Sequence, residues 1–147
     1  MSLIDIPFAY ALAVVRGGDV VYAQGDTATP RPLQSVTKVI ASWAALVAVE
    51  RHLIGLDDAA GPSGSTVCHL LAHASGLPAE SEEPQFAPEK RRVYSNAGFD
   101  VLGRAVEEAT GTPIRRWIEE AVLEPLGMAD TDVPGSIARS GVSPWMI

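Results

Sequence analysis

A long, nearly apolar segment that begins near residue 35 limits most strongly what this chain of 147 residues can fold into. From Ser35 to about His52 the apolar side chains lie on most sides of a predicted helix: Val39, Ile40, Trp43, Ala44, Leu46, Val47 and Ala48. A helix that is apolar nearly all round is expected to be buried in the protein core. Lys38 conflicts with that expectation, because it places a cation near the start of the helix.

Two β-prone runs precede this helix, at residues 8–15 and 20–23. The sequence Arg16-Gly17-Gly18-Asp19 separates them. A Gly-Gly pair supplies the positive φ angles that a two-residue hairpin turn requires. The sequence therefore predicts an N-terminal β-hairpin.

Helical patterns dominate the rest of the chain, after a turn at residues 61–64. Three helices are predicted there: Thr66 to Ala74, Ala97 to Ala109 with Gly111 as its C-cap, and one from an N-cap at Thr112, with Pro113 first in the helix, to about Leu123. We expect an α/β (α+β) fold in which a hairpin of an antiparallel sheet packs on the buried helix. Residues 1–52 would form this partial sandwich domain, and residues 53–147 a mostly helical domain.

The charge and composition exclude several classes of partner. Eighteen acidic and eleven basic residues give a net charge of −7, which leaves no basic stripe for nucleic acid. No run is apolar and long enough to span a bilayer, and no signal segment is recognisable. We expect a soluble, cytoplasmic protein, or a secreted or cell-envelope protein if a leader has been removed.

The three histidines do not predict a metal centre. His69 and His73 are four positions apart, a spacing that can bind zinc on a helix. Residue 70, however, is leucine where a zincin motif requires glutamate. We therefore predict neither a metal site nor a cofactor.

Ser35 and Lys38 are candidates for nucleophilic chemistry. Residues three apart share one face of a helix, with about 5 to 6 Å between their Cβ atoms. Serine is a weak nucleophile unless a base takes its proton, and a lysine can act as that base when burial lowers the pKa of its ammonium. The alternative is that Ser35 is only an N-cap and that the Lys38 side chain extends to the surface.

A second motif, Tyr94-Ser95-Asn96, lies in a predicted loop just before a helix. Read alone, it describes a packed ring followed by a helix cap. Serine hydrolases that use lysine, however, carry Tyr-x-Asn or Ser-x-Asn about this far after Ser-x-x-Lys. Together the two motifs favour a catalytic site.

With Ser35-Val36-Thr37-Lys38 and Tyr94-Ser95-Asn96 in this order, the chain resembles the family of penicillin-binding proteins and class C β-lactamases, which are serine hydrolases. Residues 70–78, Leu-Leu-Ala-His-Ala-Ser-Gly-Leu-Pro, look like the family's Leu-Leu-x-His-x-Ser-Gly-Leu-Pro segment. Residues 125–131 look like its Pro-Leu-Gly-Met-x-x-Thr segment. The resemblance covers nearly the whole chain.

The resemblance implies a role for each site residue. Ser35 would be the acylated nucleophile, Lys38 its proton partner, and Tyr94 the phenol that shuttles the proton to the leaving group. Asn96 would orient the substrate amide. A phenol can act as a base at neutral pH only if a nearby cation stabilises its phenolate. In the resemblance His73 belongs to a turn that shapes the helical region.

One element of the family pattern is absent from the sequence, namely Lys-Thr-Gly or His-x-Gly on a later strand, which donates the second oxyanion-hole N–H. The chain therefore looks like the N-terminal part of a larger enzyme, and we expect it to be poorly active by itself. Two functions stay open. One is a serine hydrolase acting on an ester, a β-lactam or a D-alanyl amide. The other is a non-catalytic relative that binds a ligand or a partner, with the hairpin edge open to homo-oligomers or strand exchange.

Overall fold

The structure, a computed structural model, describes residues 5–133. Its strands and helices are β1 (Ala11–Arg16), β2 (Asp19–Gly25), α1 (Thr37–Glu50), α2 (Val67–Leu71), α3 (Asn96–Thr110) and α4 (Ile114–Ile118). The contacts divide the chain into two compact units, residues 1–32 and 33–147. These contacts place α1 in the same unit as the other helices. The sequence predicts a domain boundary after residue 52, which would place α1 with the hairpin. None of the helices in residues 5–133 combines the length and apolar character needed to cross a membrane.

The first unit contains the predicted hairpin, which is confirmed. β1 and β2 pair in antiparallel register, from Arg16 opposite Asp19 to Ala11 opposite Gly25. Gly17 and Gly18 close the turn with φ angles of 62° and 92°. Both angles are left-handed, so the turn matches the natural twist of the two strands and favours residues without a Cβ atom.

In the second unit α1 is central, and the face that it buries consists almost entirely of alanine. Ala41, Ala44, Ala45 and Ala48 are buried and pack in the core with residues of α3, α4 and the turn after α4. Short side chains let neighbouring helices approach closely. The buried Trp117 of α4 shows how close they come, because its indole N–H donates to the backbone oxygen of Ala44 over 2.9 Å.

The opposite face of α1 corrects the expectation that this helix is buried on most sides. Val39 is 66% exposed and Trp43 is 53% exposed, and Val36 and Leu46 are exposed as well. The helices of the second unit pack on the alanine face, which leaves this apolar stripe uncovered. Periodicity identified a mostly apolar helix, but it did not identify which face its neighbours cover.

The helices after α1 follow the predicted order, with one correction at α4. Gly111 ends α3 in the predicted left-handed C-cap, with φ at 65°. Pro113, however, is the N-cap of α4 rather than its first helical residue, because its ψ angle of 134° is extended. The Ile114 N–H is satisfied instead by the Glu107 carboxylate of α3, over 3.0 Å. A π-helical turn, Glu119–Leu123, continues α4 to the predicted end.

Two histidines end their helices in the same way. His52 follows α1 and His73 follows α2, each in the left-handed region with φ at 58° and 57°. In each case the next residue donates back to the helix, with Leu53 N–H to the oxygen of Ala48 and Ala74 N–H to the oxygen of His69. This is the Schellman arrangement, in which glycine is the usual residue at the left-handed position.

We expect His52→Gly to stabilise the protein by about 0.5 to 1 kcal/mol. A left-handed residue with a Cβ atom costs roughly 1 to 2 kcal/mol, and the greater freedom of glycine in the unfolded chain offsets part of that gain. Urea unfolding monitored by circular dichroism measures the change. Lower stability of the variant would show that the His52 side chain contributes more than its backbone strain costs.

Candidate active site

Ser35 lies in a 3-10 turn, Gln34–Val36, that leads directly into α1. The N-cap of the turn is Leu33 and that of the α-helix is Val36, and neither makes a side-chain capping hydrogen bond. The alternative that Ser35 is merely the N-cap of the helix is therefore wrong. Its side chain is exposed, as a nucleophile must be. The preceding residue, Gln34, has a left-handed φ of 51°, a local strain of the kind found beside active sites.

Lys38 is buried, with only 6% of its surface exposed, so the alternative that its side chain extends to the surface is also wrong. Its ammonium donates to Asn96 Oδ1 over 2.6 Å. The same nitrogen lies 4.9 Å from the ring centroid of Tyr94 and 5.6 Å from that of Phe99. Two aromatic faces and an amide oxygen thus compensate the buried charge.

Tyr94 brings the two sequence motifs into contact. Its ring centroid lies 4.9 Å from the Lys38 ammonium, and both Ser35 and Lys38 are close enough to the phenol to change its pKa. The hydrogen bond with Ser35, and then the hydrogen bond with Lys38, lower the pKa of Tyr94 from its ordinary value of 10.0. The ring is 49% exposed, so bulk solvent reaches this side of the site. A phenol in these surroundings is a better base at neutral pH than an isolated tyrosine.

Asn96 is the first residue of α3 and is held through both ends of its amide. Its Oδ1 accepts from Lys38, and its Nδ2 donates to Glu80 Oε1 over 2.6 Å. The preceding Ser95 caps α3 by accepting from Gly98 N–H over 2.8 Å. The sequence suggested Asn96 as the cap of a helix from Ala97, but the structure makes Ser95 the cap, so the asparagine side chain takes no part in capping.

The predicted Leu-Leu-x-His-x-Ser-Gly-Leu-Pro segment lies against the Tyr94 segment. Val93 N–H donates to the oxygen of His73 over 2.9 Å, and Asn96 N–H donates to the oxygen of Ala79 over 2.8 Å. Gly76 permits a close approach to a different segment, since a Cβ atom there would lie 2.0 Å from the backbone oxygen of Phe86. The sequence segment thus acts as a support for the site residues.

Glu80 and His73 are the two members of this cluster whose contacts sequence reasoning missed. Glu80 lies in an exposed loop and in sequence does not differ from Glu82 and Glu83 nearby. His73 was assigned only to a turn. Both contacts join segments that are distant along the chain, so no local spacing signalled them.

The imidazoles of His69 and His73 are engaged by other groups. His69 Nδ1 accepts from Thr66 N–H over 3.2 Å, and its Nε2 lies 3.1 Å from Glu89 Oε1. His73 Nδ1 accepts from Ser95 N–H over 3.1 Å. Within residues 5–133, no three histidine, cysteine or acidic side chains are grouped so as to hold a metal ion.

The structure thus brings together all four residues that the sequence proposed for the site: Ser35, Lys38, Tyr94 and Asn96. An exposed hydroxyl contacts a phenol of lowered pKa, which in turn contacts a buried ammonium. Such an arrangement can remove a proton from serine while it attacks a carbonyl group. The sequence profile of the Beta-lactamase family matches residues 8–141.

The chain belongs to the β-lactamase family. A solved structure of a β-lactamase from Mycobacterium bovis is 47% identical in sequence and superposes with a TM-score of 0.83, covering 90% of this chain and 49% of that one. The expected β-lactamase/transpeptidase-like fold is therefore confirmed.

Two curated relatives are named for hydrolytic activities. The D-alanyl-D-alanine-carboxypeptidase/endopeptidase AmpH of Escherichia coli is 31% identical over 111 residues, covering 54% of this chain and 29% of the relative. The esterase EstB of Burkholderia gladioli is 31% identical over 181 aligned positions, covering 82% and 46%. The chain spans less than half the length of each of these relatives.

Proposed function

We propose that this chain carries the nucleophile half of a serine hydrolase that forms an acyl-enzyme on Ser35. The observation that carries the proposal is the position of Tyr94, whose ring lies 4.9 Å from the Lys38 ammonium and whose pKa is lowered by Ser35 and then by Lys38. A hydroxyl, a base and a group that stabilises the base in contact are the arrangement that nucleophilic catalysis by serine requires.

In the proposed reaction the Tyr94 phenolate takes the Ser35 proton as Oγ attacks the carbonyl carbon of the substrate. A bond forms between Oγ and carbon, and the carbonyl electrons move to the oxygen. Collapse of this oxyanion breaks the bond to the leaving group, which receives the proton from Tyr94. Water then attacks the Ser35 ester, and the same proton relay releases the acid and restores serine.

Lys38 and Asn96 keep fixed partners throughout this cycle. The Lys38 ammonium stabilises the phenolate without leaving its bond to Asn96 Oδ1. The Nδ2 of Asn96 has two protons, one of which Glu80 accepts. We assign the second proton to the carbonyl oxygen of a substrate amide or ester side chain.

The substrate class that we propose is a small ester, a β-lactam or a D-alanyl amide, with esters first. Esters need less help from an oxyanion hole than amides because their leaving group is better. Of the two curated relatives, the one that shares the larger part of this chain is an esterase, whereas the solved structure that covers 90% of it is named a β-lactamase. The similarity to a D-alanyl-D-alanine-carboxypeptidase/endopeptidase supports a D-alanyl amide as another candidate substrate.

A second function, that of a non-catalytic protein that binds a partner, is favoured by one observation. The stripe formed by Val36, Val39, Trp43 and Leu46 is apolar and exposed along α1. Contiguous apolar surface of this kind is often an interaction surface. In this alternative the site residues serve ligand binding or are relics of a catalytic ancestor.

We expect the chain to be acylated slowly but to turn over poorly. Incubation with a fluorophosphonate, followed by intact-mass analysis, should show one adduct per chain. Hydrolysis of a p-nitrophenyl ester or a chromogenic cephalosporin should be roughly 100- to 1000-fold slower than by a longer chain that carries Lys-Thr-Gly or His-x-Gly, since one oxyanion donor contributes about this factor.

Comparison of the two chains at equal concentration separates the two functions. Absence of any adduct, from either chain, would favour the partner-binding function. Fast turnover by a monomer of the short chain would mean that the second donor lies within its own 147 residues. A rate per chain that rises steeply with protein concentration would indicate that a second copy supplies the donor.

A further inference from the structure

His73 belongs to the segment of residues 70–78 and contacts the segment that carries Tyr94, and the proposed reaction does not use it. Its Nδ1 accepts the Ser95 N–H over 3.1 Å. Ser95 separates Tyr94 from Asn96 in the sequence. We propose that His73 is a positioning residue, whose neutral imidazole fixes the backbone between Tyr94 and Asn96 and thereby sets the distance from the phenol to Ser35. The effect on chemistry rests on the proposed function, whereas the hydrogen bond itself does not.

The backbone of His73 makes a second hydrogen bond close to the one between its side chain and Ser95. The residue is left-handed at the end of α2, and its own oxygen accepts from Val93 N–H over 2.9 Å. One residue therefore makes two bonds to the neighbouring segment, at positions 93 and 95. Two bonds on alternate residues fix both the register and the direction of the chain at Tyr94, which lies between them.

The ring of His73 also defines where the phenol can lie. Its centroid is 4.7 Å from that of Tyr94 and 5.2 Å from that of Phe99, with interplanar angles of 37° and 40°. Phe99 is buried in the core. Because the His73 ring packs against Phe99 on one side and Tyr94 on the other, it restricts where the exposed phenol ring can lie.

The charge state of His73 decides whether the bond exists. A nitrogen that accepts a hydrogen bond carries no proton, so the imidazole is neutral. Burial, and then the cations Lys38 of α1 and Arg92 of the adjoining segment, lower the pKa of His73 from its ordinary value of 6.5. Tyr94 is the remaining titratable group in contact with the ring, and its phenolate would favour the charged form. Protonation at Nδ1 would abolish the acceptor and break the bond to Ser95.

Three variants distinguish the contribution of the His73 hydrogen-bond acceptor from the contributions of its ring and of its left-handed backbone. His73→Phe keeps an aromatic ring and removes the acceptor. His73→Asn keeps an acceptor and tolerates the left-handed backbone, but it removes the ring. His52→Phe is the matched control, because His52 occupies the same left-handed position after α1 and carries the same backbone cost. Circular dichroism and thermal unfolding establish that each variant is folded.

The rate of Ser35 labelling by a fluorophosphonate, followed by intact mass, measures the effect. We expect His73→Phe to slow labelling by about 10- to 100-fold, the consequence of leaving one buried N–H unpaired beside the site. His73→Asn should stay within about fivefold of the unaltered protein, and His52→Phe should match it. Equal rates for His73→Phe and His52→Phe would overturn the proposal.

The pH profile gives a readout that a merely structural role would not change. Over the first one to two pH units below the pKa of His73, which correspond to the expected 10- to 100-fold loss, both Tyr94 and His73 gain protons, so the logarithm of the rate should change there with a slope of about two per pH unit. In His73→Asn only Tyr94 titrates, and the slope should be one. A slope of one in both proteins, each shown to be folded across the range, would contradict a positioning role for the neutral imidazole.

Nuclear magnetic resonance of the unaltered chain tests the bond independently of any reaction. The ¹⁵N shifts of His73 should show an unprotonated Nδ1 at neutral pH, and the Ser95 amide resonance should move as the imidazole titrates. If Ser35 is never labelled but these signals appear, the proposed function fails and the His73 assignment survives. A Ser95 amide that ignores the titration of His73 would overturn the assignment itself.

Discussion

Replacing Ser35 by alanine is expected to abolish covalent labelling by a fluorophosphonate while leaving the protein folded. The Ser35 hydroxyl is the proposed nucleophile, and alanine provides no group at this position that could react with the probe. The fold should survive because the Ser35 side chain is exposed and caps neither the 3-10 turn nor α1. Even a true helix cap contributes only about 1 kcal/mol. Intact-mass analysis measures the adduct, and circular dichroism measures the fold.

The same variant should also alter Tyr94. A hydrogen bond with Ser35 is the largest cause of the lowered pKa of this phenol. Its loss should raise the pKa toward the ordinary value of 10.0, which ultraviolet absorbance of tyrosinate can follow with Tyr94→Phe as the blank. Ser63→Ala, at another exposed serine, is the control and should change neither labelling nor titration. Undiminished labelling of Ser35→Ala would show that another residue is the nucleophile.

Local patterns predicted the elements of this fold well. The Gly-Gly pair specified the hairpin because only a left-handed turn joins two strands so tightly. The spacing of Ser35 and Lys38 placed both side chains at the start of one helix, and Gly111 was predicted correctly as the C-cap of α3. Each of these features depends on residues within one or two turns of each other.

The features that sequence reasoning missed depend on contacts between distant segments. Glu80 meets Asn96, and His73 meets Ser95, through hydrogen bonds that span 16 and 22 residues. Nothing in the local sequence shows which distant group either side chain contacts. The exposed stripe that includes Trp43 was missed for a related reason, since apolar character does not show which neighbours are present to cover it.

The lysine in the apolar helix now has a physical explanation. A buried ammonium is costly unless other groups replace its water. At Lys38 the oxygen of Asn96 and the faces of two aromatic rings supply that replacement. These partners come from the segment around α3, which also carries Tyr94. Asn96 and Tyr94, which stabilise the buried Lys38 ammonium, are therefore also the residues whose chemistry this ammonium can influence.

Removing the Tyr94 hydroxyl tests that influence directly. Tyr94→Phe should lower the rate of Ser35 labelling at neutral pH by about 100- to 10,000-fold, the contribution typical of a positioned general base. The phenyl ring retains the contacts with His73 and with the Lys38 ammonium, which involve the ring rather than the hydroxyl. The variant thus isolates the proton transfer from the packing.

The pH dependence decides whether the phenol is the base. In the unaltered protein the labelling rate should rise with pH and level off at the pKa of Tyr94, which lies below 10.0, because only the phenolate accepts the Ser35 proton. Tyr94→Phe should lose this plateau, since no phenolate forms. Tyr22→Phe, in the hairpin unit, is the control and should keep both the rate and the plateau. A Tyr94→Phe variant with an unchanged rate and profile would assign the base to Lys38 alone, because no other amine among the described residues donates to this cluster.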